Sequence, residues 1–348
     1  MLEKDNHRTE LSQVGEFGLI RHIAESVELK NSESVLGIGD DAAIINNRSL
    51  HTVVSTDLLV EGVHFDLAYV PLKHLGYKSV VVNLSDIYAM NAQPKQIVVG
   101  LAVSNRFSLE AIDELYAGIK LACDVYNVDL VGGDTTAAPS GMTISITAIG
   151  NAPKEKIVGR SGAKEDDLIC VSGDLGSAYV GLQLLNREKS VFQGNPDMQP
   201  DFAGNEYVLE RQLKPEARKD IIQLLDDLKI VPTAMIDISD GLASDLLHIC
   251  EQSNKGCQIY EEKLPIDPQT YQLAMDFNLH PAMCALNGGE DYELLFTVPL
   301  SEFDRIKSEK EIKIIGHITD VNVGTNLVDS SQTSIPLQAQ GWDGLSEE

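Results

Sequence analysis

Five short segments of the chain place aspartate after an apolar strand or tight turn and a small residue. They are GIGDD (37–41), VVSTD (53–57), NLSD (83–86), VGGD (131–134) and DISD (237–240). Glycine and serine let the backbone approach a ligand closely, and hydroxyl side chains add oxygen ligands. A single aspartate in this context is typical of a turn or a helix N-cap. The repetition of the pattern in five segments indicates a shared binding role.

The acidic character of these segments predicts a divalent cation. The chain has 27 Lys and Arg against 53 Asp and Glu, a formal net charge of −26, and almost no basic residue beside the five segments. Buried carboxylates need cations, because otherwise they take up protons. Hard oxygen ligands without a His/Cys cluster favour Mg²⁺ over Zn²⁺. Several Mg²⁺ ions around a polyphosphate indicate phosphoryl transfer, in which positioning and charge neutralisation supply most of the catalysis.

Other nucleotide-binding classes are excluded by their missing motifs. The sequence contains no G-x-x-x-x-G-K-[ST], no G-x-G-x-x-G after a strand, and no H-R-D or D-F-G. P-loop enzymes, Rossmann dehydrogenases and protein kinases are therefore disfavoured. The strong negative charge should repel nucleic acid and anionic membranes, so neither is expected as a partner.

The cysteines and the N-terminus favour a cytoplasmic location. Five cysteines are scattered without a CxxC pair, which indicates reduced thiols. The segment MLEKDNHRTELSQ lacks an apolar core, and no run of 18 apolar residues occurs. Neither a signal peptide nor a membrane span is expected.

Strands and one long helix are predicted in the first part of the chain. The strands cover 51–56, 96–103 and 142–150, and Asp57 is expected to close the first of them. A helix is predicted over 108–127 with Ser108 as its N-cap. Its apolar positions at helical spacing are Leu109, Ile112, Tyr116 and Ile119.

A polar segment at 151–167 predicts a domain crossing. Beyond it, strands are predicted over 167–173, 233–237, 292–298 and 312–318, helices near 176–188, 215–229 and 241–253, and an irregular stretch at 189–205. Alternating strands and helices in both halves indicate α/β or α+β domains, which we assign to residues 1–150 and 151–348.

Six motifs, taken together, resemble a known family. In this order and spacing, GIGDDAA, STDLLVEGVHF, NLSDIYAMNAQP, GGDTT, DISDGLASDL and GGEDYELLF are similar to thiamine-monophosphate kinase, within the PurM-like ATP-dependent superfamily. The resemblance runs from about residue 14 to residue 344. It implies a PurM-like two-domain α/β (α+β) fold: an N-terminal ATP-binding domain with a mixed sheet, which pairs in a homodimer, and a C-terminal α/β domain.

The resemblance also implies a reaction. The γ-phosphoryl group of ATP, the co-substrate, passes to the phosphate of thiamine monophosphate and gives thiamine diphosphate. The acceptor phosphate attacks directly in line, several Mg²⁺ ions assist, and no phospho-enzyme forms.

Site residues carry over from the family by motif. The metal ligands implied are Asp40, Ser55, Thr56, Asp57, Asp86, Asp134, Asp237 and Asp240. The ATP contacts implied are Tyr116, Gly133, Asp134, Arg160 and Ser239. The thiamine-phosphate contacts implied are His64, Glu290 and Trp342. Considered singly, a histidine in an apolar setting or a tyrosine on an apolar helix face is more often structural.

Two departures and three alternatives accompany the resemblance. Asn91 stands where the family usually has glycine in Ala-Met-Gly-Ala, which predicts a small shift of a helix end, and 189–205 resembles a variable insertion. Selenophosphate synthetase is disfavoured by the N-terminal sequence, and aminoimidazole ribonucleotide synthetase by EGVHF followed by NLSD. A non-catalytic Mg²⁺- and nucleotide-binding protein is a third alternative, against which the full set of aspartates speaks.

Overall fold

The computed structural model describes residues 22–36, 44–45, 50–195 and 197–340. Asp40 and Trp342, both expected in the site, lie outside these residues. The backbone divides into two compact units, Met1–Ile87 with Gln93–Pro153 and Tyr88–Ala92 with Lys154–Glu348. We call them unit 1 and unit 2. The domain ranges 1–150 and 151–348 stay a prediction.

Unit 1 is built on a four-stranded mixed sheet. The described strands of unit 1 are β1 Ser34–Leu36, β2 Ile44–Ile45, β3 His51–Val60, β4 Gln93–Val103, β5 Asp129–Ala137 and β6 Met142–Ala152. Its described helices are α1 Leu72–Ala89 and α2 Leu109–Tyr126. The sheet order is β3-β6-β4-β5. The β4–β5 pair is parallel and the other pairs are antiparallel, while β1 and β2 form a separate antiparallel pair.

The two faces of this sheet differ in character. Along β6 buried and half-buried residues alternate, with Ile144 and Ile146 fully buried. On β3 the residues facing the other way include Val54 and Leu58, which are 59% and 57% exposed. One face is therefore a core face, and the other, which we call the open face, carries exposed apolar side chains within unit 1.

Helices α1 and α2 cross through a pair of glycines. A Cβ built on Gly76 would lie 2.0 Å from the carbonyl oxygen of Leu115, and one built on Gly118 would lie 1.9 Å from that of Lys73. Neither position has room for a methyl group. The predicted N-cap of α2 is confirmed, because the Ser108 side chain accepts a hydrogen bond from the backbone of Ala111.

We expect Gly118→Ala to lower the free energy of unfolding by about 3 kcal/mol or more, since the two backbones must separate to admit the methyl group. Gly132→Ala is the matched control, because a Cβ at Gly132 would meet no atom within 4 Å. Urea unfolding of both variants checks this. Equal stability of Gly118→Ala and Gly132→Ala would contradict the close helix crossing.

Unit 2 is built on a seven-stranded sheet in the order β13-β12-β9-β11-β7-β10-β8. Its strands are β7 Leu168–Ser172, β8 Ala234–Asp237, β9 Gly256–Tyr260, β10 Leu294–Val298, β11 Ile312–Thr319, β12 Thr325–Val328 and β13 Ser334–Pro336. Its helices are α3 Ser177–Gly194, α4 Glu206–Leu213, α5 Lys219–Asp227, α6 Leu242–Ser253, α7 Pro268–Asp276, α8 Pro281–Asn287 and α9 Phe303–Ile306. Only the β12–β9 pair is parallel among the described pairs of this sheet.

The core of unit 2 lies between helix α6 and the sheet. Leu242, Leu246 and Ile249 of α6 are fully buried in one cluster with residues of β7, β8, β9, β10 and β11. Their spacing follows one face of the helix. The beginning of α6, which directly follows the DISD segment, is thereby fixed against the sheet.

Several sequence expectations need correction. Strand β3 runs to Val60, so Asp57 lies inside the strand and does not close it. Helix α3 continues to Gly194, so the stretch 189–205 is not irregular throughout. The helix expected over 215–229 begins at Lys219, after Pro215, and a separate helix precedes it at Glu206–Leu213.

Asn91, the departure from the family pattern, adopts a left-handed conformation with φ 53°. Its side-chain amide donates to the backbone carbonyl of Lys156 at 2.8 Å. Its backbone N–H donates to the backbone carbonyl of Tyr88 at 2.8 Å. Asparagine tolerates this conformation better than other non-glycine residues. The asparagine therefore fits the end of α1.

In the part of the chain that the structure describes, no helix is long and apolar enough to cross a membrane. All five cysteines are buried, and none forms a disulfide.

Candidate active site

Two carboxylates predicted as metal ligands meet in unit 1. Asp57 on β3 and Asp86 on α1 are hydrogen-bonded to each other, and the Ser55 hydroxyl donates to Asp86. Ser55 and Asp57 pair with Ala148 and Ile146 of β6, so they face α1 on the core side of the sheet. The structure therefore brings three of the predicted ligands together.

The contact with Asp86 disfavours the ionised form of Asp57. Burial, the neighbouring charge and the hydrogen bond from Asp86 raise the pKa of Asp57 from 3.8 to about 7. None of these influences comes from a Lys or Arg of the described chain. Two carboxylates in contact can both ionise only when a positive charge lies beside them.

Asn83, which the sequence reasoning missed, positions this pair. Its side-chain oxygen accepts the backbone N–H of Asp57 at 2.9 Å, and its amide donates to the carbonyl of Ser79 at 3.0 Å. Asn83 is fully buried one helical turn before Asp86. The NLSD segment thus contributes an asparagine that fixes β3 as well as an aspartate that faces it.

Thr56 does not join the pair through its hydroxyl. Strand alternation points its side chain toward the open face, where its hydroxyl donates to the carbonyl of Ile146 at 3.0 Å and accepts from Thr147 at 2.9 Å. Its assignment as a metal ligand stays a prediction.

Asp134 lies on β5 opposite Gly100 of β4, whose Cβ direction leads to Ser145 on the open face. Tyr116 and Gly133 line a small pocket together with Asp134, so three predicted ATP contacts adjoin one hollow. Gly133 also has a packing role, since a Cβ there would lie 1.9 Å from the Val99 carbonyl oxygen. Burial raises the pKa of Tyr116 to about 12.

His64, a predicted substrate contact, closes the turn after β3. Its imidazole Nδ1 accepts a hydrogen bond from the backbone N–H of Val60 at 3.0 Å. The backbone N–H of His64 donates to the Val60 carbonyl at 2.9 Å. In the neutral imidazole the proton is consequently on Nε2, which makes that atom a donor.

In unit 2 the DISD and GGED segments are adjacent. Asp237 ends β8, and Ser239 and Asp240 follow it before α6. The backbone N–H of Glu290 donates to the Ser239 carbonyl at 2.8 Å, and the Glu290 carboxylate accepts from Gln212 at 2.8 Å. Glu290 has φ 57°, so a strained turn holds it beside the aspartates.

Arg160 is exposed and lies elsewhere in unit 2. Its carbonyl accepts a weak hydrogen bond from Ser253 at 3.5 Å, at the last residue of α6. Asp240 lies at the opposite end of that helix. The backbone of Arg160 is therefore not beside Ser239, its predicted companion in ATP binding.

Proteins of known function are similar to most of this chain. Thiamine-monophosphate kinase of Bacillus subtilis (strain 168) is 35% identical over 336 residues, which cover 94% of this chain and 98% of that protein. The chain belongs to the thiamine-monophosphate kinase family. The family model for the N-terminal domain of AIR synthase related protein matches residues 39–152.

Solved structures agree with this membership. The thiamine-monophosphate kinase of Stenotrophomonas maltophilia K279a has a TM-score of 0.75 and 31% identity, covering 94% of this chain and 99% of that one. AaThiL complexed with AMPPCP and TMP has a TM-score of 0.74 and 30% identity, covering 97% and 99%. The predicted resemblance, the PurM-like α/β two-domain fold class and the assignment to a kinase enzyme class are confirmed.

A further aspartate of the kinase family's DISDGLASDL segment joins the acidic group of unit 2. Asp245, on the first turn of α6, is 1% exposed. Burial and the charges of Asp237 and Asp240 raise its pKa to about 8. The helical period could have indicated its burial, because Asp245 lies between Leu242 and Leu246 on the core side.

The donor set fits Mg²⁺ that retains water and phosphate ligands. Among residues 22–36, 44–45, 50–195 and 197–340, no three His, Cys, Asp or Glu side chains converge closely enough to hold a metal ion by themselves. The Asp57–Asp86 pair and the acids of unit 2 supply carboxylate oxygens without a closed cage. Mg²⁺ commonly binds one or two carboxylates together with substrate phosphates and waters.

A buried ion network supports the GGED segment. Glu293 is 1% exposed, pairs with Arg211 at 3.0 Å and with Arg218, and accepts from the Ser172 hydroxyl at 2.5 Å. Arg211 also donates to the Asp291 carbonyl at 3.3 Å. Sequence reasoning missed these arginines, because they lie far from the motif along the chain.

Proposed function

We propose that this chain is a cytoplasmic, homodimeric enzyme that transfers the γ-phosphoryl group of ATP to thiamine monophosphate, directly in line and with several Mg²⁺ ions. The observation that carries the proposal is the contact between Asp57 and Asp86, in which burial and the neighbouring carboxylate raise the pKa of Asp57. In a chain of this kinase family, metal-bound phosphates are the natural source of a positive charge beside the two carboxylates.

The relatives support the choice of substrates. The curated relative is named for thiamine monophosphate, and the solved AaThiL complex holds AMPPCP and TMP. AMPPCP is an ATP analogue with a non-hydrolysable terminal linkage. A nucleotide and a phosphate acceptor bound together fit direct transfer between them.

The protein's task in this reaction is to position charge. ATP and the acceptor together bring about six negative charges at neutral pH, which require several cations for close approach. Mg²⁺, when bound, would supply the positive charge that neutralises these phosphates. Asp57, Asp86 and Ser55 would hold cations in unit 1, and Asp237 and Asp240 would do so in unit 2. Ser239 and Glu290 lie beside the unit 2 acids and are proposed to contact ATP and thiamine phosphate, respectively.

The remaining predicted contacts are retained as proposals. His64 would donate from Nε2 to the acceptor, and Tyr116, Gly133 and Asp134 would adjoin the nucleotide. Arg160 would reach phosphate, and Asp40 and Trp342 lie outside the described residues.

The open face of unit 1 supports the proposed homodimer. It exposes Val54 and Leu58. A second copy on this face would cover these apolar side chains. We expect sedimentation equilibrium to give a dimer for the wild type and a monomer for Leu58→Glu. Asp113→Asn, at the exposed pair with His22, should remain dimeric. A wild-type monomer at micromolar concentration would reject the dimer.

The reaction is tested by incubating the protein with Mg-ATP and thiamine monophosphate and separating the products. Thiamine diphosphate and ADP are expected in equal amounts, and EDTA should abolish their formation. The absence of thiamine diphosphate under saturating conditions would reject the proposed function.

In-line transfer is tested by stereochemistry. With ATP that is chiral at the γ-phosphorus, a single direct transfer inverts the configuration. Retention would indicate two transfers and a phospho-enzyme, which the proposal excludes.

A further inference from the structure

Asp245 has an environment that a structural role does not account for. It is the fourth residue of α6, and its backbone N–H donates to the Gly241 carbonyl at 3.1 Å. The backbone N–H groups of Asp240 and Gly241 favour the ionised form of Asp245, although burial and the neighbouring acids outweigh them. The side chain therefore lies beside the loop that carries Asp240.

One oxygen of the Asp245 carboxylate has no hydrogen-bond donor among the described residues. The Oδ2 atom of Asp245 is buried and has no hydrogen-bond partner in the described part of the protein. The nearby charges that act on Asp245 are those of Asp237 and Asp240, which are also negative. A buried acceptor without a donor costs about 1–3 kcal/mol, and more when it is charged. A capping role alone would be served by a neutral side chain such as asparagine.

A donor that brings positive charge suits Oδ2, because the neighbouring charges are negative. Among the described residues, Asp237, Asp240 and Asp245 do not form a closed three-carboxylate metal cage. Mg²⁺ keeps several of its waters, and their hydrogens point outward toward acceptors in the next layer. Carboxylates in that layer orient metal ligands and raise metal affinity.

We propose that Asp245 is a positioning residue of the unit 2 cation site, which lies beside the Asp240 loop and accepts a hydrogen bond from a metal-bound water at Oδ2. This inference rests on the proposed function, because it assumes that Asp237 and Asp240 bind Mg²⁺ during phosphoryl transfer.

The test is Asp245→Asn, which keeps the shape and one acceptor oxygen but can replace Oδ2 by a donor. We expect the Mg²⁺ concentration for half-maximal turnover to rise about 10- to 100-fold. At saturating Mg²⁺, kcat should stay within about threefold of the wild type, because the reacting groups are unchanged. Mn²⁺ binding with AMPPCP present, measured by electron paramagnetic resonance, should weaken by a similar factor.

Asp167→Asn is the matched control. Asp167 is also a buried acid of unit 2. However, its carboxylate accepts hydrogen bonds from the backbone N–H of Lys164 at 2.8 Å and from the Thr233 hydroxyl at 2.6 Å. Its loss should change stability without changing the metal dependence. Thermal melts identify any variant that fails to fold, in which case Asp245→Ser, a smaller polar residue, provides the same measurements.

Wild-type Mg²⁺ dependence and Mn²⁺ affinity in folded Asp245→Asn would overturn the inference, as would an equal shift in Asp167→Asn. The Mn²⁺ measurement needs no turnover. If the wild type forms no thiamine diphosphate, the proposed function fails, while Mn²⁺ binding still decides whether Asp245 supports a cation site.

Discussion

Asp57→Asn is expected to lower kcat by on the order of 10³-fold or more, while the protein remains folded. The amide can still donate to Asp86, as a protonated Asp57 would, so the apo structure is preserved. What is lost is a charged oxygen ligand, and electrostatic stabilisation of the transferring phosphoryl group falls with it. Steady-state kinetics at saturating Mg-ATP check the effect.

The same substitution should change the pH dependence of apo-protein stability. The folded-state pKa of Asp57, about 7, lies above the unfolded value near 3.8. The native protein therefore retains a proton that the unfolded chain releases, and stability falls as pH rises from about 4 to about 7. Asp57→Asn removes this loss, so its apo form should melt at the same or a higher temperature than the wild type at pH 8.

Asp113→Asn serves as the control, since it removes an exposed carboxylate of unit 1 that pairs with His22. Its turnover should equal that of the wild type. Near-wild-type turnover of both Asp57→Asn and Asp86→Asn would be incompatible with metal-bridged phosphates at this pair.

Arg218→Met is expected to lower the free energy of unfolding by about 3 kcal/mol or more. Arg218 is 8% exposed, pairs with Glu293, and donates to Asp220 at 2.9 and 2.7 Å. Removing it leaves the buried Glu293 with only part of its compensating charge, which is costly in a poorly solvated site. Urea unfolding followed by far-ultraviolet circular dichroism measures the loss.

Arg305→Met is the matched control, because Arg305 forms an exposed pair with Glu302 at 2.5 Å. Surface pairs of this kind contribute about 0–1 kcal/mol. A loss at Arg218 no larger than that at Arg305 would show that the buried network contributes little to stability.

The sequence was sufficient where a local rule decides the structure. Ser108 was recognisable as an N-cap, and the motif aspartates Asp57 and Asp86 were recognisable from their apolar surroundings. The structure places the two side chains in contact. The helix and strand periods placed most elements of both units within a few residues.

What the sequence could not give depends on long-range contacts. Thr56 and Ser55 are adjacent, and only the pairing with β6 decides which of them faces α1. Asp245 resembles any helical acid until α6 packs on the sheet. Arg218 is distant from GGED in the chain, so its pairing with Glu293 follows from the tertiary fold alone.

The glycine crossing of α1 and α2 restricts how this enzyme can be made more heat-resistant. Replacing helical glycines by alanine is a common stabilising change, but at Gly76 and Gly118 it would force the helices apart. Gly76 and Asp86 share one helix and are about 15 Å apart along its axis. A shift at the crossing would therefore displace the Asp86 carboxylate, and catalysis would be impaired by a substitution that never touches substrate. Thermostabilising designs should leave both glycines unchanged.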